Sequence, residues 1–256
     1  MSPRLHLITL LTDFGTADSY LGEVKGVLLS ACPGVVLVDL THAIQPGDIP
    51  SAAYVLERTW LHYPAGSVHL VVVDPGVGSE RAALAIRAGG HVFIGPDNGV
   101  LTHPIGAGAE AIRRLEVPPG ASPTFHARDV FAPATARAAS GTPVEELGPQ
   151  FTGTPVTLSV AEPHHEGKAL IGTVVYADRF GNLVTNLDRN LVPSYGVLEV
   201  EGVEIGRILR TFGDVPPGEL LAYVGSGGQV EIAVRGGSAA RRLGLGVGGR
   251  VKVRLG

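Results

Sequence analysis

Cysteine is nearly absent: Cys32 stands alone among 256 residues. No intrachain disulfide can form, and such usage points to a reducing, cytoplasmic setting. No paired Cys/His spacing suggests structural zinc. No apolar run is long enough to span a bilayer, so no membrane partner is expected. Charged residues are 17% of the chain, the net charge is −4 and the basic residues are scattered. That pattern argues against a nucleic-acid partner. Lysine is scarce, three against seventeen arginines, and there are only four asparagines. A GC-rich genome or a thermophile would both leave this bias, and it says nothing about function. The opening "MSPRLHLITLLTDFG" has a short apolar run ending at Asp13 and no small-residue cleavage site. It reads as a first strand rather than a signal peptide.

Hydrophobic residues make up 45% of the chain, enough for a sizeable core. The first half alternates strand and helix signals. "LHLITLLTDF", "VVLVDL" and "SVHLVVVD" read as buried strands; "AALAIR", "HVFIGP" and "AIRRLEV" read as further strands. Between them, "DSYLGEVKGVLLSAC" has apolar residues at Tyr20, Leu21, Val24, Val27 and Leu28, the spacing of a helix, with Asp18 as its cap. "GDIPSAAYVLERTWLHY" is a second helix, with Asp48 as cap and Pro50 in its first turn. "RDVFAPATARAASG" is a third, capped by Asp129 and closed by Gly141. Alternation of this kind predicts an α/β domain built on a mostly parallel sheet flanked by helices. After about Gly153 the character changes. "EPHHEGK" reads as a hydrophilic linker, and from Ala169 short alternating runs are separated by glycine turns. This predicts a C-terminal all-β, barrel-like domain. The boundary falls within residues 155–167, giving domains 1–158 and 159–256.

Polar residues gather at particular places. Asp13, Asp39 and Asp74 each end an apolar strand, and in open parallel sheets ligands bind beyond those ends. Each could equally begin a turn or cap a helix. "VVVDPGVGSER" places Asp74 before a loop of two glycines and then Arg81. Such a loop lets a ligand approach the backbone. It has neither the Lys-Ser/Thr of a phosphate loop nor the spacing of a dinucleotide fingerprint. Arg81 is either a surface residue or an ion-pair partner returning to Asp74. His126, in "PTFHARDVFAP", is either a hydrogen-bonded structural residue or a functional one. "IGPDNGVL" reads as a turn. In the β segment "DRFGNLVTN" puts Asp178, Asn182 and Asn186 around Phe180, a turn with a plausible polar site. "VGSGGQVEIAV" holds Ser226 and Glu231 among glycines.

Taken in order, "TDFGTADSYLGEVKG", "VVVDPGVGSER", "IGPDNGVL", "PTFHARDVFAPATA", "DRFGNLVTN" and "GSGGQVEIAVRGGSAA" resemble the adenosine-forming S-adenosyl-L-methionine (SAM) hydrolases. These are also called SAM hydroxide adenosyltransferases and are relatives of fluorinase and chlorinase. The resemblance runs along essentially the whole chain. It implies an α/β domain followed by a β-barrel-like one, and a homotrimer with its sites at subunit interfaces. It implies hydrolysis of SAM to adenosine and L-methionine with no cofactor, SAM being the substrate. Carried over, the family's Asp-Arg-His set falls on Asp74, Arg81 and His126. Asp13 matches the acid that holds the ribose hydroxyls. Phe180 and Phe212 match aromatics beside the adenine, and Asn182 a polar contact to adenine or ribose. Asp178 and Ser226 match residues around the methionine amino and carboxylate groups, with Asp18 and Tyr20 near that end. Glu231, Ala233 and Val234 fall in the stretch expected beside the adenine, the last two through their backbone.

The halogenases carry a tyrosine where this chain has Asp74, and the fluorinase a serine at the position of Ala127. Asp74 therefore argues against halide as nucleophile. The expected chemistry is attack of water or hydroxide at C5′ of SAM, with methionine leaving as a neutral thioether. Asp74 and His126 would orient the water and accept or relay its proton. Arg81 would either hold Asp74 or stabilise hydroxide directly. An adenosyl-halide synthase and a non-catalytic SAM- or adenosine-binding protein are the alternatives.

Overall fold

The computed structural model describes residues 6–159 and 161–255. The chain divides into two compact units, Met1–Leu158 and Ser159–Gly256. Among the described residues no helix is long and apolar enough to cross a membrane.

The first unit runs β1 (Leu7–Thr12), α1 (Tyr20–Ala31), β2 (Val36–Thr41), α2 (Ile49–Thr59), β3 (Val68–Val72), β4 (Ala83–Ala88), β5 (His91–Pro96), α3 (Thr102–Gly106), β6 (Ala111–Leu115) and α4 (Ala132–Ala139). Its six-stranded sheet has the order β2-β1-β3-β5-β4-β6. β2, β1, β3 and β5 are parallel, while β4 is antiparallel to both its neighbours. Side chains alternate between the two faces. Ile8, Leu10, Leu70 and Val72 pack with α1 and α4 residues on one face, while Leu11, Val71, Val73 and Phe93 pack with α2 on the other. Both faces of the central strands are thus buried, which is why they read as unbroken apolar runs.

β2 differs from expectation. It lies at the sheet edge and is half-exposed, although "VVLVDL" suggests a buried strand. An apolar run cannot reveal whether a strand has one neighbour or two. Two expected caps also differ. Ser19, not Asp18, precedes α1, and its hydroxyl bonds Glu23 Oε1 at 2.8 Å instead of capping. Asp129 lies inside a π-turn, Ala127–Phe131, that leads into α4; its carboxylate accepts the Ser122 N–H at 2.8 Å. Asp48 does cap α2, accepting the Ser51 N–H at 3.0 Å.

The second unit contains β7 (His164–Glu166), β8 (Ala169–Ala177), β9 (Leu183–Asp188), β10 (Val197–Val200), β11 (Val203–Leu209), β12 (Leu220–Val224), β13 (Gln229–Val234), α5 (Ala239–Leu243) and β14 (Arg250–Arg254). The order is β14-β10-β11-β12-β13-β9-β8-β7, and the β14–β8 pairing closes the barrel. Its interior is filled by Leu170, Val174, Leu183, Leu198, Ile232, Val251 and Val253, among others. "EPHHEGK" is more than a linker: His164–Glu166 forms an exposed edge strand on β8. A short charged edge strand has no apolar pattern to betray it.

At the start of β3 and β5, the end of the sheet away from Asp13 and Asp74, polar side chains are buried together. Thr9 Oγ1 lies 2.7 Å from His69 Nδ1, and His69 Nε2 lies 3.1 Å from His91 Nδ1. His69 also stacks on Phe93, with ring centroids 4.9 Å apart. Burial, reinforced by the nearby His91, lowers the His69 pKa from 6.5 to about 3. The folded state therefore keeps His69 neutral where the unfolded chain protonates it. Its contribution is complete above pH 6.5 and is lost as pH falls below that value. Stability should drop by about 2 kcal/mol between pH 7 and pH 5 from this group, before the carboxylates titrate. Denaturant unfolding at the two pH values checks this. His69→Phe should flatten the slope, and an unchanged slope would remove His69 as its source.

Candidate active site

Chain order creates a crevice. β1 is followed by β2 on one side and, after α2, by β3 on the other, so the topology switches direction between β1 and β3. Ligands in open α/β sheets bind at such points, beyond the carboxyl ends of the strands. Thr12 of β1 pairs with Val72 of β3, so Asp13 and Asp74 leave neighbouring strands at the same edge.

Asp74 and Arg81 form a bidentate pair. Arg81 Nε donates to Asp74 Oδ1 at 2.9 Å, and Nη2 donates to Oδ2. Their side chains are only 5% and 9% exposed, so the pair is scarcely screened. Nη2 also donates to His126 Nδ1 at 3.1 Å. A guanidinium has no acceptor, so Nδ1 must be unprotonated and Nε2 must carry the hydrogen. Burial and the Arg81 charge both hold the His126 pKa below the ordinary histidine value, against the opposing Asp74 and Asp129. His126 is thus a neutral imidazole that presents a donor. Arg81 Nε and Nη2 have all their hydrogens engaged, while Nη1 has only a 3.4 Å contact to the Ala82 carbonyl. The guanidinium also lies over the Phe131 ring, 5.3 Å from its centroid.

The segment carrying His126 reaches this pair through a glycine. Gly78 has φ +79°, and a Cβ there would sit 2.5 Å from the Pro123 carbonyl oxygen. The absent side chain accommodates protein backbone, whereas the sequence suggested room for a ligand. The turn in "IGPDNGVL" is not idle either. Asn98 Nδ2 donates to the Val73 carbonyl at 2.8 Å, tying down the residue before Asp74. Asp97 accepts the Val156 N–H at 2.8 Å, and burial raises its pKa.

Asp13 Oδ2 accepts the Gly47 N–H at 2.8 Å. Gly47 in turn lies against Pro75, beside Asp74. Tyr20, half-exposed, meets Phe14 and Phe125 edge-to-face, with ring centroids 5.3–6.3 Å apart. Arg128 lies 5.0 Å from the Phe125 centroid and pairs with Glu23 and Asp129. Phe14 and Phe125 lie within stretches singled out by sequence, but nothing in their spacing marked them as a cluster. Asp18 is exposed.

The remaining candidates belong to the second unit. Asp178 is engaged by its own turn: Oδ1 accepts the N–H groups of Phe180 and Asn182 at 2.9 and 2.8 Å, and Oδ2 accepts Asn182 Nδ2 at 2.8 Å. The turn holds Phe180 out, 76% exposed. It docks on α5 through Gly181, where a Cβ would collide with Ser238. Phe212 packs on Tyr223 with the rings tilted by 50° and their centroids 4.7 Å apart, and the Tyr223 hydroxyl donates to Glu231. Ser226 is exposed at the turn between β12 and β13. Ala233 and Val234 have buried side chains, so only their backbones could meet a ligand.

Gly78→Ala tests the close approach. It adds strain at positive φ and a backbone collision, so stability should fall by about 1–3 kcal/mol. With the His126 segment displaced, activity should fall further than stability explains. Thermal unfolding and initial rates measured well below the transition check this.

The N-terminal domain model of SAM hydroxide adenosyltransferases matches residues 8–148, and the C-terminal domain model matches residues 172–252. A protein from Salinispora tropica named (R)-S-adenosyl-L-methionine hydrolase is 40% identical, over 97% of this chain and 98% of its own. One of the same name from Thermus thermophilus is 43% identical, over 93% and 95%. A fluorinase from an Actinoplanes species is 27% identical, over 89% and 90%. The crystal structure of an uncharacterized conserved protein from Thermotoga maritima superposes with a TM-score of 0.88 at 35% identity, over 96% of this chain and 99% of that one. With both domain models matched in order and full-length relatives at this identity, the chain belongs to the SAM hydroxide adenosyltransferase family.

Proposed function

We propose that this protein is a hydrolase that converts S-adenosyl-L-methionine and water to adenosine and L-methionine. The observation that carries the reading is the buried Asp74–Arg81–His126 cluster beside Asp13, in a chain 40–43% identical to proteins named for SAM hydrolysis. An O–C5′ bond forms and the C5′–S bond breaks, its electron pair going to the sulfonium sulfur. The water proton is released to solvent. Methionine leaves neutral, so neither an acid nor a metal is needed at the leaving group, and no cofactor is required. The difficulty lies with the nucleophile, which must be positioned in line and kept anionic.

The cluster suits that task through donors. His126 Nε2–H and the remaining Arg81 Nη1–H can hold a hydroxide-like oxygen. Asp74 fixes the guanidinium and accepts a hydrogen bond from the attacking water. His126 then orients and stabilises, and does not accept the proton, because Arg81 already occupies Nδ1. Asp13 would take the ribose hydroxyls. Phe180, Asn182 and Phe212 would serve the adenine, with Glu231 and the backbones of Ala233 and Val234 nearby. Asp178, Ser226, Asp18 and Tyr20 would serve the methionine end. The relatives' names specify the (R) sulfonium epimer, so we extend that preference to this chain. Both epimers present the same C5′ to the nucleophile, so discrimination would come from contacts to the groups on sulfur.

Chromatography of SAM incubated with the protein in halide-free buffer should show adenosine and methionine, with (R)-enriched SAM consumed first and chelator without effect. A 5′-haloadenosine on adding halide would favour the halogenase reading. SAM binding without product would favour a binding protein. Asp74→Asn should lower kcat about 10²–10⁴-fold while adenosine still binds. The rate should hold as pH falls through the ordinary histidine range and decline only below it, because protonating His126 breaks its bond to Arg81.

The same reading includes a cytoplasmic homotrimer with its sites at subunit interfaces. Light scattering coupled to size-exclusion chromatography should return a mass near three chains of 26.5 kDa. A monomer at working concentration that retains full activity would overturn it.

A further inference from the structure

The loop after β2, residues 42–48, grips the end of β1 at three points. The Gly15 N–H donates to the His42 carbonyl at 2.8 Å, and the Gly47 N–H donates to Asp13 Oδ2 at 2.8 Å. The third contact is between side chains: His42 Nδ1 lies 2.8 Å from Thr12 Oγ1. Both residues are buried, His42 at 6% and Thr12 at 1% exposure. Thr12 Oγ1 also accepts the Phe14 N–H at 3.3 Å.

His42 Nε2 faces Asp39 Oδ1 at 3.1 Å, close but too poorly aligned for a proper hydrogen bond. A carboxylate there still favours hydrogen on Nε2, so Nδ1 is the acceptor and the Thr12 hydroxyl donates to it. Asp39 is itself held by Lys25 at 2.7 Å. With its hydrogen aimed at His42, the hydroxyl turns a lone pair to the Phe14 N–H. The two residues on either side of Asp13 are thereby fixed by one imidazole. Asp13 keeps Oδ2 on Gly47, and its Oδ1 has no protein partner among the described residues.

We infer that His42 is a positioning residue: through Thr12 it sets the backbone that aims Asp13, and so governs binding of the nucleoside half of the substrate. It touches no reacting atom. The inference rests on the ribose-binding role proposed for Asp13, and the experiment separates the two.

Four variants are compared: His42→Gln, His42→Asn, Thr12→Val and Asp13→Ala. The readouts are KM and kcat for SAM, adenosine affinity by calorimetry and inhibition by methionine. Asn places a polar atom near the former Nδ1 position, whereas Gln reaches toward the Nε2 side. His42→Gln and Thr12→Val should each weaken adenosine and raise KM about tenfold, with kcat within about threefold. Methionine inhibition should not move. His42→Asn should return adenosine affinity to within about threefold of the parent. His42→Gln or Thr12→Val binding adenosine like the parent would overturn the inference, as would His42→Asn being as weak as His42→Gln. Should His42→Gln not fold, Thr12→Val decides alone, since it removes the hydroxyl at nearly constant shape. Asp13→Ala that leaves adenosine affinity unchanged would instead overturn the role given to Asp13. Loss in Asp13→Ala with no loss in the other variants would overturn only the role of His42.

Discussion

The bidentate bond between Asp74 and Arg81 is the interaction on which the rest of the site depends. Two charges removed from water in this way are costly unless each is fully hydrogen-bonded. Here both carboxylate oxygens receive an N–H, and the guanidinium extends the network to His126. Removing any member would leave a buried charge or an unmatched donor. The same geometry sets the histidine tautomer, because arginine can only donate. A residue that is commonly a base is thereby left with a donor at Nε2.

The surrounding structure can be understood as support for that bond. Parallel β1 and β3 bring two strand ends to one edge, and Asn98 tethers the residue before Asp74. Gly78 allows the Pro123 backbone close enough for His126 to reach Arg81. The π-turn at Ala127–Phe131 places Phe131 under the guanidinium while α4 continues against the sheet. The loop 42–48 secures the end of β1 on the other side. The buried His69–His91 pair lies at the far end of the strands, so its acid sensitivity belongs to the fold and not to the site.

The two units use different devices to present polar groups. In the first, side chains converge from β3, the start of β4 and the turn before α4. In the second, a single turn is self-contained: Asp178 satisfies its own backbone and Asn182, leaving Phe180 projecting. An aromatic held out by a rigid turn loses little entropy when a flat ligand covers it.

Much of this was legible in the residues themselves. Continuous apolar runs marked β1 and β3 because both of their faces are buried, and helical spacing marked α1 and α2. Asp48 with Pro50 announced a helix start that local chemistry alone enforces. The ordered motifs identified the family and brought forward Asp74, Arg81 and His126. Other features depended on partners distant in sequence. The edge position of β2, the strand character of His164–Glu166 and the displaced caps at Asp18 and Asp129 each depend on what packs or bonds alongside. So does His42, an unremarkable residue after a strand until folding sets it against Thr12. Local propensity and periodicity are written along the chain, so the sequence determined the elements and the residue types of the site. Register, tautomer and the direction of each hydrogen bond are relations between segments distant in sequence, 45 residues apart for Arg81 and His126 and 60 for Thr9 and His69, and only the tertiary structure decided them.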